Sequence, residues 1–459
     1  MFRTVELPIW LLVLIVLFAA VTFASHFLFP SVRWFLRRRM ERVVSRLNER
    51  LERPIQPFKL AKRHDMIQRL IYDPKIAEAI SHHAREEDVP EAVAFERARR
   101  YAREIVPSFS ASLYFGFAIK FARWLSRKLY IVHLDDGDDA ALRAIDSEAT
   151  VVFVMNHRSN MDYMLVTYLV ADRSALSYAV GEWARVWPLS RVIRAMGAFF
   201  IRRKSRNVLY RRVLARYVQL ATKGGVTQAV FPEGGLSLDG TVGPSKLGFL
   251  SYILSDFDAK TDKDVVFVPV ALNYDRVIED RVLTEAARRG ERKFRASVIV
   301  GIWFALRYTF RRIIRTAVRF GHAGVGFGAP LSLTEFQREH GRDLEAVGEA
   351  LRARVRDVVP ALPVSTLCYA LEQLTGPVSR GDLSLAVAPL IAAHPHPSMA
   401  DAATTVDEAM GTLLTRRIVT EGPQGVAVNP ESRALLEYYA RSVAHHFADA
   451  AYTVQSQQT

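Results

Sequence analysis

The sequence predicts an α/β protein: a sheet flanked by helices, preceded by an apolar spanning helix and a helical region, and followed by a smaller, mostly helical module. Three observations carry this. Between residues 131 and 335, short apolar runs alternate with amphipathic patterns, as in a sheet with helices on its faces. Before residue 30 there is one long uncharged apolar run. After residue 336, helical periodicity takes over from strand-like runs. The expected organisation is therefore 1–30, 31–130, 131–335 and 336–459.

The apolar run, Leu7 to Ala24, reaches the roughly 20 residues a spanning helix needs when extended to Phe29. Trp10 and Trp34 suit the two interfaces. The run exceeds a signal-peptide core and lacks a small-x-small site. Arg33, Arg37, Arg38, Arg39 and Arg42 follow it, against only Arg3 opposed by Glu6 before it. The positive-inside rule then places everything after residue 30 in the cytoplasm, on a single pass through the cytoplasmic (inner) membrane. Lys and Arg number 62 against 48 Asp and Glu, a net +14. That excess favours polyanionic partners: phosphorylated substrates, anionic lipid or nucleic acid. Cys368 is the single cysteine, which excludes an intrachain disulfide and a cysteine-based metal site.

Residues 31–130 read as helical, with Phe58–Ile80 and Val93–Val106 carrying apolar positions at helical spacing. Phe109–Tyr130 is aromatic and basic, a packed or membrane-contacting helix. Expected strands are Tyr130–His133, Val151–Met155, Leu176–Ala179, Ala198–Arg202, Gln228–Phe231, Val265–Leu272, Ala296–Gly301 and Gly324–Phe327. Tyr163–Ala171, Ser190–Ala195 and Ser205–Lys223 are the helices between them. Gly301–Phe320 interleaves arginines with aromatic and aliphatic residues, a pattern that can lie in an anionic membrane surface. In the tail, Arg416–Val428 reads as a hairpin between helices 405–415 and 430–448, a winged-helix order. No nucleic acid is expected as partner, given the membrane run and the chemistry below.

That chemistry centres on VVFVMNHRSNMDYML, residues 151–165. A buried strand ends in Asn156-His157, and Asp162 follows as helix-forming residues resume. One rim thus receives an imidazole and a carboxylate. Histidine titrates near neutrality, and a carboxylate on one ring nitrogen leaves the other free to take a proton. Ser159, between them, reads as a turn residue. Arg202 and Arg203 end a strand, and guanidinium suits phosphate oxygens. Adjacent strand residues point to opposite faces, so only one of the two reaches a ligand. Lys246 is a second phosphate candidate. Phe231-Pro-Glu-Gly-Gly235 joins a strand end to two permissive glycines. Pro269, inside Val268-Pro-Val270, supplies no ladder hydrogen bond and is expected at a strand edge or end. The paired histidines His82-His83 and His445-His446 read as solvated or packed, and no metal is implied.

These four blocks, in this order and spacing, resemble the glycerolipid acyltransferases, most specifically over 150–280 and more loosely over the flanks. The resemblance implies an acyltransferase-type sheet, with His157 as general base, Asp162 as its partner and no acyl-enzyme. It selects Arg203 as the substrate-binding arginine and assigns Glu233, Gly234 and Ser237 to the acceptor site. It sets Pro269 near the acyl donor. Bacterial relatives carry arginines around that serine, where this chain has Leu236 and Leu238. Tyr274-Asp-Arg-Val-Ile-Glu279 resembles the glycerol-phosphate branch, which also carries a basic-aromatic insert before its last strand. The implied reaction moves a fatty acyl group from acyl-CoA or acyl-carrier protein to the sn-1 hydroxyl of glycerol 3-phosphate, giving lysophosphatidic acid for phospholipid synthesis. No cofactor is implied, and anionic membrane lipids are expected partners. Two other readings stay open: dihydroxyacetone phosphate or lysophosphatidate as acceptor, and a non-catalytic anchored binder of anionic lipid or nucleic acid.

Overall fold

Asn156, at the end of a central strand, makes a two-way amide bridge to the backbone of Leu272, donating to its carbonyl at 2.9 Å and accepting its N–H at 2.8 Å. The sheet is thereby tied to the turn that leaves it. The computed structural model describes residues 8–23, 29–135, 139–170, 173–181, 189–202, 205, 207–290 and 319–447. They divide into two units: residues up to Ile55 with 173–174, and the rest.

The first unit holds an apolar helix, Ile9–Phe23, and a basic one, Phe29–Asn48. The apolar helix has 15 residues and leaves Trp10, Val16 and Phe18 well exposed. At 1.5 Å per residue it covers about 22 Å, short of a hydrocarbon core of about 30 Å. Among the described residues no helix is long and apolar enough to cross a membrane. Residues 7 and 24–28 of the expected span over 7–29 lie outside the described residues. The next helix carries Arg33, Arg37, Arg38 and Arg39 and adds no apolar length.

The second unit is built on one sheet. Its strands are β1 (Ile131–Asp135), β2 (Thr150–Met155), β3 (Ser177–Gly181), β4 (Phe199–Ile201), β5 (Gln228–Val230), β6 (Val265–Tyr274), β7 (His322–Phe327) and β8 (Leu331–Ser332). The order is β1-β7-β6-β2-β5-β3-β4, with β8 beside β6. From β6 through β4 every neighbour is parallel, so five C-terminal ends share one rim. The antiparallel pairings are those of β6 with β7 and β8. The expected strand Ala296–Gly301 and nearly all of the basic-aromatic segment Gly301–Phe320 lie outside the described residues.

β2 and β6 are buried along their whole length, as parallel strands covered on both faces must be. Alternation sorts their side chains. Val151, Phe153 and Met155 enter a core shared with the C-terminal helices Pro363–Gln373, Ala402–Thr415 and Arg433–Arg441. Val152 and Val154 enter the opposite core, with helices Arg63–Ile71, Glu91–Ile105 and Val208–Lys223. The last of these is capped by Asn207, whose side chain accepts the Tyr210 N–H. The expected hairpin pairs Val419–Gly422 with Gly425–Val428.

Pro269 departs from expectation. It lies inside β6, level with Val154 of β2, not at an edge. Its carbonyl accepts from Gly328, in the gap where β7 has ended and β8 has not begun. The missing N–H therefore falls where no ladder bond is needed.

The end of β6 is pinned by the helices that follow the sheet. Asn273 donates to the Pro360 carbonyl at 2.9 Å. Asp275 accepts the N–H groups of Val364 at 2.9 Å and His322 at 2.7 Å. Tyr439 accepts the Val277 N–H at 3.0 Å and donates to Asp280, which also pairs with Arg416 at 2.5 Å.

Candidate active site

The rim of parallel strand ends receives the expected pair. His157 Nδ1 lies 2.9 Å from Asp162 Oδ2, and both side chains are buried. The sequence folds this way locally because Asp162 opens the helix Asp162–Leu169 and turns its carboxylate back over the turn. Oδ2 also accepts the N–H groups of Arg158 at 2.8 Å and Ser159 at 3.0 Å. The imidazole stacks on Phe231, with centroids 4.1 Å apart, and meets Tyr163 edge-on at 5.6 Å. Nε2 makes no hydrogen bond among the described residues. An imidazole held at Nδ1 by a carboxylate is fixed in tautomer and orientation and can take a proton at Nε2.

Three supporting groups were not assigned roles from sequence. Tyr274, the last residue of β6, donates its hydroxyl to Asp162 Oδ1 at 2.7 Å. Burial and the Asp162 charge push that hydroxyl well above the usual tyrosine range, so it remains a donor. Glu279 accepts from the Ser159 hydroxyl at 2.7 Å and from the Asn160 N–H and amide. Burial raises its carboxyl against those bonds. Ser159 is thus a turn residue, as expected. Arg158 is fully buried beneath the Tyr438 ring, 4.8 Å from its centroid, and donates to Gly240 O and Asn273 Oδ1. Tyr274 and Glu279 lie in the fourth sequence block, a signal that pointed to them without a role. Nothing local marks Arg158.

The Glu233 loop abuts the pair. Glu233 accepts the His157 N–H at 3.0 Å, and the His157 carbonyl accepts from Ser237 N–H at 2.8 Å. Burial pushes the Glu233 carboxyl up to about 7, although the N–H groups of His157 and Gly243 and the Arg158 charge pull it down. Gly234 has φ +67, and a Cβ there would lie 2.9 Å from Lys246 Cδ. The glycine thus lets the lysine cross the loop, and Lys246 N–H donates to the Pro232 carbonyl. Ser237 is buried, and its hydroxyl bonds Thr241 O and accepts the Gly240 N–H. Its hydroxyl shapes the loop, and its backbone fastens the loop to His157. Leu236 and Leu238 pack against the sheet core.

Arg203 lies outside the described residues. Arg202 forks onto Glu104 at 2.8 and 2.6 Å and lies 5.3 and 5.2 Å from the ring centroids of Tyr101 and Tyr210. Pro269 is one position before the end of the β2–β6 register and five before the end of β6, in the body of the strand rather than on the rim. The remaining histidine pairs bond locally: His82 meets Glu86, His83 meets Arg97, and His445 and His446 contact the carbonyls of Arg356 and Val359.

Comparison with known proteins shows what this chain is similar to. A model described as "Acyltransferase" matches residues 140–273, which contain the strands and turns of the site. One described as "Glycerol-3-phosphate acyltransferase C-terminal region" matches 308–459. A protein named glycerol-3-phosphate acyltransferase from Aeromonas hydrophila is 29% identical over 422 residues, 85% of this chain and 51% of its own length. One of the same name from Shewanella pealeana is 32% identical over 284 residues, 61% of this chain and 34% of its own. The chain spans about half the length of the relatives that match most of it. A crystal structure of a 1-acyl-sn-glycerophosphate acyltransferase from Thermotoga maritima aligns with 52% of this chain and 80% of its own at 19% identity, with a TM-score of 0.30, too low to bear on the fold. In chain order, therefore, the sheet is similar to the acyltransferases and the region after it to the C-terminal region of the glycerol-3-phosphate acyltransferases.

Proposed function

We propose that this chain transfers a fatty acyl group from acyl-CoA or acyl-carrier protein to the sn-1 hydroxyl of glycerol 3-phosphate, giving lysophosphatidic acid. The observation that supports it most is the buried His157–Asp162 pair at the strand-end rim. A binding protein has no use for a proton acceptor held so firmly. The acceptor hydroxyl gives its proton to His157 Nε2 as its oxygen attacks the thioester carbonyl. The C–O bond forms, the C–S bond breaks, and the proton passes to the departing thiolate. Asp162 stabilises the imidazolium formed on the way. General-base catalysis of this kind contributes on the order of 10²–10⁴-fold.

Glycerol 3-phosphate is the acceptor favoured by the names of the relatives and by the fourth block, whose Tyr274 and Glu279 both grip the catalytic turn. In this reading Arg203 and Lys246 are the cations for the phosphate, and Glu233, Gly234 and Ser237 form the acceptor loop, which Lys246 crosses at Gly234. The exposed apolar helix Ile9–Phe23 and the arginines after it support attachment to the cytoplasmic membrane, with flanking residues completing any span.

An acceptor panel tests the reading. Membranes containing the chain receive labelled palmitoyl-CoA with glycerol 3-phosphate, dihydroxyacetone phosphate or lysophosphatidate. Product with glycerol 3-phosphate, lost in His157→Ala while membrane location is kept, is the expected result. Preference for another acceptor, or unchanged turnover in the variant, overturns it.

A further inference from the structure

The helical segment before β1 leaves an aromatic face uncovered. Ala111–Leu113, Tyr114–Ala118 and Ile119–Leu129 run on without a break. Its inner side, Ala118, Ile119, Ala122, Ser126 and Leu129, is buried and packs against the helix Asp162–Leu169. Its outer side exposes Phe117, Phe121 and Trp124 by 56, 41 and 48%. Phe117 and Phe121 stack with centroids 5.7 Å apart, and Trp124 follows 5.9 Å from Phe121. A soluble surface rarely holds three contiguous bare aromatic rings without a partner.

The charges around the ridge are of one sign. Lys120, Arg123, Arg127 and Lys128 are all exposed. Between Glu104 and Asp135 there is no acidic residue. Arg123 and Arg127 flank the Tyr168 ring at 5.2 and 5.4 Å, and Arg127 donates to its hydroxyl at 3.1 Å. The cationic rim therefore extends onto the very helix that Asp162 begins. Aromatic rings bordered by Lys and Arg fit the boundary between headgroups and acyl chains, and the cations fit anionic headgroups.

We propose that this face, Phe117, Phe121 and Trp124 with Lys120, Arg123 and Arg127, docks on an anionic lipid bilayer and seats the catalytic helix beside it. The proposal deepens the acyl-transfer reading, in which a long-chain donor arrives at and an acylated product leaves for a bilayer. The helix Ile9–Phe23 would then fix the chain to the membrane, and this second contact would fix the orientation of the site.

The single cysteine makes the test direct. Cys368 is fully buried, so a thiol dye added to the full-length Phe117→Cys variant labels the new position. Leu385→Cys, at a position 75% exposed on the helix Arg380–Ala393, is the control. Both are reconstituted in phosphatidylcholine vesicles with and without phosphatidylglycerol, and brominated acyl chains serve as quenchers. The expected result is a blue-shifted Phe117 probe, quenched several-fold more than the control, and more so when phosphatidylglycerol is present. Quenching no greater than the control overturns the proposal. A blue shift that depends on protein concentration and resists brominated lipid overturns it in favour of a second protein. Equal quenching without phosphatidylglycerol removes the cations from the argument and overturns the anionic specificity. The probe reports contact without turnover, so its outcome is separable from that of the acceptor panel.

Discussion

Replacing Asp162 by asparagine isolates charge from geometry at the proposed catalytic pair. Asp162 Oδ2 accepts three bonds, from His157 Nδ1 and the N–H groups of Arg158 and Ser159. Oδ1 accepts the Tyr274 hydroxyl. An asparagine with its oxygen in the Oδ2 position keeps the three, and its amide faces a hydroxyl that can turn and accept. The turn should survive while the negative charge disappears. Two unit charges about 4 Å apart at an effective dielectric near 20 attract by about 4 kcal/mol. If the imidazolium depends on that attraction, Asp162→Asn lowers kcat by about 10³-fold. KM for both substrates and the urea midpoint should change little. The assay is acyl transfer at saturating donor and acceptor, alongside urea unfolding. A folded variant retaining kcat within about tenfold of the parent would refute the role given to the carboxylate. A large loss of stability would refute the argument that the amide fits.

Three further predictions follow from the same geometry. Glu233, raised to about 7 by burial, holds its proton more tightly folded than unfolded, so folding loses stability as pH rises from about 4.5 through 7. The loss is at most about 3 kcal/mol, and Glu233→Gln should flatten it when urea midpoints at pH 5 and pH 8 are compared. Gly240 has φ +91, and a Cβ there would lie 1.9 Å from the Tyr438 carbonyl, so Gly240→Ala should cost about 2–6 kcal/mol in urea unfolding and depress turnover through Ser237 and His157. Arg202→Ala should lower stability through the bared Glu104 and leave KM for glycerol 3-phosphate nearly unchanged, whereas Arg203→Ala should raise that KM chiefly. The reverse pattern in steady-state kinetics would reassign the two arginines.

Much of the sheet was legible because its signals are local. β-branched runs bounded by turn residues placed β1 through β7 to within a few residues, and the spacing of His157 and Asp162 placed both on one turn. The two-residue β8 carries no pattern that could reveal it. Pro269 misled because its tolerance depends on a gap between β7 and β8, which only the three-dimensional pairing defines. Tyr274 and Arg158 make contacts 112 and 82 residues away, and no periodicity encodes such partners. The apolar N-terminal run was visible, and its described part is helical over Ile9–Phe23.

The tip of β6 has a practical bearing on how far this chain can be shortened. Asn273, Tyr274 and Asp275 sit side by side, yet the first and third hold residues beyond position 359 while the middle one holds the Asp162 carboxylate. Cutting the chain after the sheet would strip Asn273 and Asp275 of those partners and loosen the support under Tyr274. A version pared down to the strands and their connecting turns should therefore emerge misaligned, its His157 imidazole present but poorly aimed.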